Sequence, residues 1–508
     1  MADSSYLYLG LALALLLIVL QRQRRLYNNH GGLRLPPGPW ALPVIGHLHH
    51  LAGALPHRAM RALSRRHGPV MLLHLGEVPT LVVSSREGAE EVMKTHDQVF
   101  ASRPLSSTVR VLTNGGRDII FAPYGEHWRQ LRKIAVTELL SARRVLSFRW
   151  IREEEVRAML REVAAAAAAD ARPAVEMRSR LSALVADITV RAVLGDRWKD
   201  RGVFLRNLER CLELTGGFNP ADLWPSSWLA RVLSGAERRA KVHTAAVYDM
   251  LDGIIEEHVE TMGVDGGHAD DLLDVLLKVH KDGGGLKFSL DMDVIKVVIF
   301  DLCGAGSETS STILEWAMAE LIRNPKVMKK ATTEVRQAFE AVGTVVEDRL
   351  SELEYLQLVI RETFRLHTPV PLLVPRLSRE PCQVLGYDVP SDTQVVVNVW
   401  AVARDKRHWD APEEFRPERF ECEAAVDFRG ADFELLPFGS GRRMCPGMAF
   451  GLANVELPLA SLLLHFDWEE ASGVDPADLD MTEAFGLTAR RKANLWLRPV
   501  LRVPIPGV

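Results

Sequence analysis

The chain has 508 residues, a formal net charge of −4 and 47% hydrophobic residues, the profile of a globular protein, which argues against nucleic acid as a ligand. Length alone suggests about three domains, a soft prior that the motifs below override. Five cysteines (Cys211, Cys303, Cys382, Cys422, Cys445) are odd in number and scattered without a C-x-x-C pair, which speaks against a disulfide framework or a zinc site and places the bulk of the chain in a reducing compartment.

Ser4 to Leu20 carries no charge, and Gln21-Arg22-Gln23-Arg24-Arg25 follows at once. Asp3 precedes the apolar run and arginines close it, so residues 1–21 read as an uncleaved membrane anchor, with a cleaved signal peptide as the alternative. At about 17 uncharged residues the run is at the short end of what spans a bilayer. Arginines on its C-terminal side put that side in the cytosol. Residues 22–39 form a basic and proline-rich linker, in which Leu35-Pro36-Pro37-Gly38-Pro39 fixes φ repeatedly and predicts a stiff hinge rather than helix. A proline-rich partner motif is the rival reading.

From residue 40 onward long helical periodicities predominate, with strand-like runs near Met71–Leu75, Thr80–Ser84, Val384–Val389 and Gln394–Val399. The expected class is mainly α with small β-sheets, a single catalytic domain over residues 40–508. Ala164–Ala169 is a low-complexity helix former, and in Gly263–Asp271 and Gly283–Gly285 glycine and charge replace apolar periodicity. Neither marks a domain boundary, because the motifs lie on both sides of them.

Trp128 and Arg132 stand at i and i+4 and share a helix face, with Arg129 and Lys133 on the neighbouring one. Farther on, a helix is expected from about Asp291 to Arg323, stopped by Asn324-Pro325 and roughly 50 Å long at 1.5 Å per residue. In its middle lies Gly304-Ala305-Gly306-Ser307-Glu308-Thr309-Ser310, where each interior glycine costs about 1 kcal/mol against alanine. Such a weak point marks a kink or a site. Small residues there make room for a flat group, Thr309 can hydrogen-bond in the opened groove and Glu308 can deliver a proton. A tight helix crossing with Glu308 solvated or salt-bridged is the competing reading. Glu362-Thr363-Phe364-Arg365 places opposite charges at i and i+3, which on a surface is worth little.

Near the C-terminus stands Phe438-Gly439-Ser440-Gly441-Arg442-Arg443-Met444-Cys445-Pro446-Gly447. A lone cysteine among arginines and turned-in N–H donors reads as an iron ligand, since those neighbours favour the metal-binding thiolate. The alternative is a buried cysteine in a turn. Neither Gly304-x-Gly306 nor Gly439-x-Gly441 completes a dinucleotide fingerprint, so electrons for any redox chemistry must come from a separate protein.

The loop F-x-x-G-x-R-x-C-x-G resembles the haem-binding signature of the cytochrome P-450 superfamily at Phe438, Gly441, Arg443, Cys445 and Gly447. With the segments quoted above, the resemblance runs from anchor to cysteine loop and is most like the plant microsomal members of the 71 clan. It implies the cytochrome P450 fold, with haem b between a long distal helix and the proximal Cys445 loop, and Cys445 thiolate as iron ligand. Ala305, Gly306, Glu308 and Thr309 match the oxygen-activation motif, with Glu308 and Thr309 as proton-relay residues. Glu362 and Arg365 match a buried proximal E-x-x-R tied to Arg419 of Pro417-Glu418-Arg419-Phe420, with a structural role. Trp128, Arg132, Arg376 and Arg443 would reach the haem propionates, and Phe438, Gly439 and Gly447 would shape the cradle. Lys406, Thr368 and Cys303 depart from the family's usual residues, which puts any transferred pocket shape in doubt.

The implied activity is a monooxygenase that inserts one atom of O2 into a lipophilic plant metabolite. Its electrons come from NADPH through a cytochrome P450 reductase, and it sits as a single-pass protein of the endoplasmic reticulum with its body in the cytosol. The implied partners are that reductase, a lipophilic small molecule and the bilayer. A terpenoid is the expected substrate class; phenolics, fatty acids and xenobiotics are the others. A haem-thiolate isomerase or dehydratase, and a haem or lipid carrier, are the rival functions. Val111-Leu112, Ile119-Ile120, Val298–Phe300, Val370–Val374 and Phe485–Leu487 are the expected pocket walls.

Overall fold

The computed structural model describes residues 32–169, 174–195, 200–216, 218–261, 271–283, 290–421, 426–471 and 473–506. The expected anchor, the first part of the linker and the glycine-rich stretch 263–270 lie outside them.

Helices dominate. Those that position the site are α1 (Glu126–Ile134), α2 (Arg149–Ala169), α3 (Met177–Leu194), α4 (Arg201–Leu214), α5 (Trp228–Ser234), α6 (Ala236–Thr261), α7 (Met292–Arg323), α8 (Glu354–Leu366) and α9 (Met448–His465). Strands β1 (Val70–Leu75), β2 (Val78–Val83), β4 (Arg376–Leu377) and β7 (Gln394–Val397) form a four-stranded sheet in the order β1-β2-β7-β4. β3 (Val175–Glu176), β8 (Phe466–Glu470) and β9 (Trp496–Leu501) make a second sheet in the order β3-β9-β8. The expected run Val384–Val389 is a hairpin of β5 (Cys382–Val384) and β6 (Tyr387–Val389). Leu385 and Gly386 turn it with φ of 48° and 77°, the left-handed pair that a two-residue turn needs.

α7 is the axis of the body. Asp291 caps it by accepting from Val294 N, and Asn324 followed by Pro325 ends it, as the sequence predicts. Its apolar faces are covered on several sides; Val294, Ile299, Leu314 and Leu321 have no accessible surface. The helix runs unbroken through Gly304 and Gly306, because the space those residues leave is filled from outside. A methyl on Gly304 would stand 3.1 Å from Leu212 of α4, and one on Gly306 3.0 Å from Thr189 of α3. The glycines therefore permit a close helix crossing.

The proline segment is not a free hinge where it is described. Leu72 N of β1 donates to Pro37 O at 3.1 Å, and Arg34 N donates to Asp388 Oδ2 at 2.7 Å. Proline lacks an N–H but keeps its carbonyl, so the segment still fastens to the body. Among the described residues, α9 is apolar and long enough to cross a membrane, but Leu459, Ala460, Leu462, Leu463 and Leu464 are fully buried, which makes it a core helix.

Candidate active site

A cavity of about 270 Å³ opens between α7 and the cysteine loop. Ala305, Gly306, Thr309 and Ile313 of α7 line one side, and Phe438, Gly439, Cys445 and Gly447 line the other. Its walls are largely apolar, with Ile119, Ile120, Val370, Leu373, Val374 and Phe450. Two of the expected wall segments are there. Leu112 and Val298–Phe300 instead pack in the core, and Phe485 is exposed against Phe218.

Local geometry holds the cysteine in place. Cys445 N donates to Phe438 O at 2.9 Å, closing the loop. Gly441 has φ of 70°, and a Cβ there would lie 2.3 Å from Met93 O, so only glycine fits. The Phe438 ring packs against Phe364 of α8 at 5.0 Å. Cys445 is deep in the protein, yet its surface is open to the cavity. Burial pushes its thiol up, opposed by the Gly447 N–H and by Arg132. The cations and amides that were expected to favour the thiolate are therefore present but outweighed, and a bound metal ion would supply the missing stabilisation.

Beneath the loop, Glu362 accepts from Arg365 Nε at 2.7 Å, from Arg365 Nη2 at 2.9 Å, from Arg419 Nε at 2.9 Å and from Arg416 N at 2.8 Å. Glu362 and Arg365 have no exposed surface. Arg365 also donates to the carbonyls of Ala403, Pro412 and Glu414. The charges of Glu362, Arg365 and Arg419 are thus paired and hydrogen-bonded, which makes the cluster tolerable in the interior.

Arginines crowd the cavity floor. Burial lowers Arg103, Arg132, Arg376 and Arg443, Arg443 to about 9, and for Arg103 and Arg443 repulsion from the neighbouring guanidiniums adds to the effect. Arg443 donates to the carbonyls of Ala101, Ile120 and Ala122 and lies 4.1 Å over the Trp128 ring. Trp128 gives its indole N–H to Ile119 O at 3.0 Å. Arg376 donates to Asp97 Oδ1 at 3.2 Å and to Ser440 O at 3.0 Å. Arg132 has no hydrogen-bond or ion-pair partner among the described residues. An apolar slot with an open thiol on one wall and surplus cations on its floor fits a flat macrocycle bearing carboxylates. Arg132 is the guanidinium free to take one.

Thr309 lines the cavity with its hydroxyl donated to Ala305 O at 2.9 Å. Glu308 does not line it. Its carboxylate points to Arg490, 3.7 Å away, and burial raises it while Arg490 and Thr488 oppose. Both readings of this motif thus hold in part, a threonine at the cavity and a salt-bridged glutamate behind it.

Sequence reasoning missed Asp97, which accepts from Arg442 N and Arg442 Nη1, each at 2.9 Å, as well as from Arg376. It also missed Arg103, Asp118 and Asp301 around the cavity. Asp301 was visible as a charge inside the apolar run Val297–Cys303, a pattern that flags a buried carboxyl.

A mainly helical body with a cysteine loop facing a long glycine-containing helix across a cation-floored slot defines a haem-thiolate class of protein. The Cytochrome P450 family model matches residues 36–496, and the chain belongs to that family. It is a cytochrome P450 monooxygenase, of the haem-thiolate enzymes that draw electrons from NADPH through a reductase. It is 51% identical to dolabradiene monooxygenase of Zea mays over 92% of this chain and 93% of that one. It is 47% identical to premnaspirodiene oxygenase of Hyoscyamus muticus, over 92% and 93%. Among solved structures, a zebra fish cytochrome P450 with abiraterone matches with a TM-score of 0.74 and 25% identity, over 88% of this chain and 99% of that one.

Proposed function

We propose that this chain hydroxylates or epoxidises a small terpenoid, with O2 as oxidant and electrons passed from NADPH by a cytochrome P450 reductase. The observation that carries the reading is the Cys445 thiol surface opening onto an apolar cavity that Thr309 also lines. Relatives named for dolabradiene and premnaspirodiene support the terpenoid class.

Cys445 would hold the haem iron, Arg132 a propionate, and Phe438, Gly439, Gly447, Ala305 and Gly306 would flank the macrocycle. Trp128, Arg376 and Arg443 would stiffen the floor, with Arg376 and Arg443 adding positive potential for the propionates. When bound, haem with a thiolate ligand supplies the oxygen activation that no side chain can. The protein's share is positioning and protons. Thr309 presents a hydroxyl to the cavity. Glu308, on the next face of α7, meets Arg490, which also faces Glu209 on the exposed side at 3.7 Å. Glu308 would relay protons to Thr309 once its carboxylate turns away from Arg490, which holds it behind the cavity wall. Apolar walls keep bulk water from the reacting carbon.

Residues 40–508 would act as one catalytic unit anchored to the endoplasmic reticulum by residues 1–21. Support comes from one face of the body. Trp228 and Leu233 of α5 are 67% and 75% exposed, and Trp40 is 65% exposed. Trp224, just before α5, donates its indole N–H to Val44 O at 3.0 Å, so these apolar residues adjoin the stretch by which the chain leaves the anchor. An exposed apolar patch of that kind suits a bilayer surface.

Microsomes carrying the protein and a plant reductase test the reading. Terpene turnover should require NADPH and reductase, and the product should carry heavy oxygen from labelled O2. Turnover without reductase would indicate an isomerase or dehydratase.

A further inference from the structure

One hydroxyl in the middle of α7 is not used as its neighbours are. Ser307, Thr309, Ser311 and Thr312 each donate to a carbonyl one helical turn back: Cys303 O at 2.7 Å, Ala305 O at 2.9 Å, Ser307 O at 3.0 Å and Glu308 O at 2.8 Å. Ser310 lies among them, 4% exposed and at the cavity edge. Its Oγ has no hydrogen-bond partner among the described residues. Opposite stands α9. Phe450 faces Gly306, and a Cβ on Gly451 would meet, outside its own helix, only Ser310 Oγ within 4 Å, at 3.6 Å. One turn farther along α9, Asn454 has no accessible surface, and neither its Oδ1 nor its Nδ2 has a partner.

Helix side chains lean toward the N-terminus of their helix, so the Asn454 amide lies over the turn that contains Gly451. Gly451 has no side chain to fill that turn, which leaves a notch between the amide and Ser310. An amide both donates and accepts, as does a serine hydroxyl. Sealing such groups in dry costs more than apolar side chains of the same size in their place. The two do not reach each other directly, and a polar gap of that kind is where a bridging water is held. With the Gly306 carbonyl, to which Ser310 gives no side-chain hydrogen bond, the notch supplies the about three partners that a buried water takes. All of them are uncharged, which suits water rather than an ion.

We propose that Ser310, Asn454 and the Gly306 carbonyl bind one buried water in the Gly451 notch, and that this water fastens the Thr309 turn of α7 to the helix that continues from the Cys445 loop. Ser310 and Asn454 are positioning residues. They act through the adjacent Thr309, whose hydroxyl faces the cavity, by fixing where that turn stands relative to Cys445. What Thr309 does there rests on the monooxygenase reading; the water site does not.

Urea unfolding of the holoprotein at matched haem content tests the site by the sign of two effects. A dry notch predicts that Gly451→Ala and Asn454→Leu both stabilise, the first by exchanging a helical glycine for alanine in free space, the second by removing an orphaned amide. A bound water predicts that both destabilise, because a methyl at Gly451 displaces it and leucine cannot hold it. Each should lower the folding equilibrium constant roughly threefold to tenfold, the worth of a net hydrogen bond. Ser310→Ala should cost a similar factor, and the Ser310→Ala, Asn454→Leu double variant little more than either alone, since the one water is lost only once. The positioning role has its own readout in the C–O stretching band of the reduced CO complex, which senses polar groups above the iron. Asn454 does not line the cavity, so a band shift in Asn454→Leu that Ser310→Ala reproduces must pass through Ser310. More peroxide per NADPH should accompany it. If Asn454→Leu fails to fold, the sign for Gly451→Ala and the band in Ser310→Ala decide. Greater stability of either variant than wild type, additive losses in the double variant, or a band that Asn454→Leu leaves unmoved overturns the proposal. A wild type that takes up haem but consumes no O2 with NADPH and reductase overturns the monooxygenase reading instead, and the stability signs still decide the water.

Discussion

Replacing Asp97 by asparagine removes the charge that ties the cysteine loop to the rest of the floor. Asp97 is 5% exposed and meets Arg376, Arg442 Nη1 and the Arg442 backbone N–H within 3.2 Å. Removing one partner of a buried ion pair costs about 3–5 kcal/mol, because the other charge stays in the interior. Two features reduce that figure. The Arg442 side chain is 47% exposed, so water screens it, and Arg376 keeps Ser440 O. Asparagine also keeps an acceptor for the Arg442 N–H. The expected loss is about 2–3 kcal/mol, concentrated at the loop. The assay is urea unfolding of the holoprotein, following both the thiolate-type band of the reduced CO complex and far-UV circular dichroism. The band should disappear at lower urea in Asp97→Asn, ahead of the helix signal. Asp410→Asn is the control: its pair with Arg416 is on the surface, with Asp410 84% exposed and screened by water, and should leave the unfolding curve unchanged. An Asp97→Asn protein as stable as the control would refute the reasoning and mean that another anion compensates Arg376.

Thr309→Ala should retain haem and substrate binding but divert NADPH electrons to peroxide; unchanged coupling of NADPH use to product would reject the proton role. Arg129 and Lys133 are exposed on α1 beside the cavity-lining Trp128 and Arg132, with Arg129 paired to Glu126 at 2.6 Å. Reversing both to Glu should slow reduction by the reductase at low salt and leave peroxide-driven turnover intact. Kinetics matching wild type across salt would move the docking site elsewhere. Burial would raise Glu483, but His57 and Arg58 outweigh it and hold the carboxyl at about 2, against an ordinary 4.5. Its folded value is depressed, so its contribution of about 3 kcal/mol is complete above pH 4.5 and is lost as pH falls toward 2. Glu483→Gln should flatten the acid limb of the stability profile; an unchanged limb would show that other carboxyls control it.

The residues legible in the sequence are those whose constraint is local. Asp291 and Pro325 bound α7 because capping and proline sterics act within a turn. The loop from Phe438 to Gly447 is legible because its spacing admits few structures, and Gly441 has its stated reason in Met93 O. What stayed hidden depends on residues far apart in the chain. Asp97 meets Arg376 across 279 positions and Arg442 across 345. β3 is two residues long and pairs with β9, more than 300 positions away. No periodicity reports such a strand. The glycines of α7 were recognised as special, but which neighbour fills the space, Leu212 and Thr189, is a tertiary fact. The same holds for Trp128, whose helix position was readable although its donation to Ile119 O was not.

The central claim is that Cys445 binds haem iron through its sulfur, and the reduced CO difference spectrum of Cys445→Ala tests it most directly. Wild type should give the red-shifted band of a thiolate-ligated haem. The variant should lose that band and all NADPH-dependent oxygenation, because among the residues lining the cavity no other side chain offers a soft anionic ligand. A variant that retained the band would contradict the account.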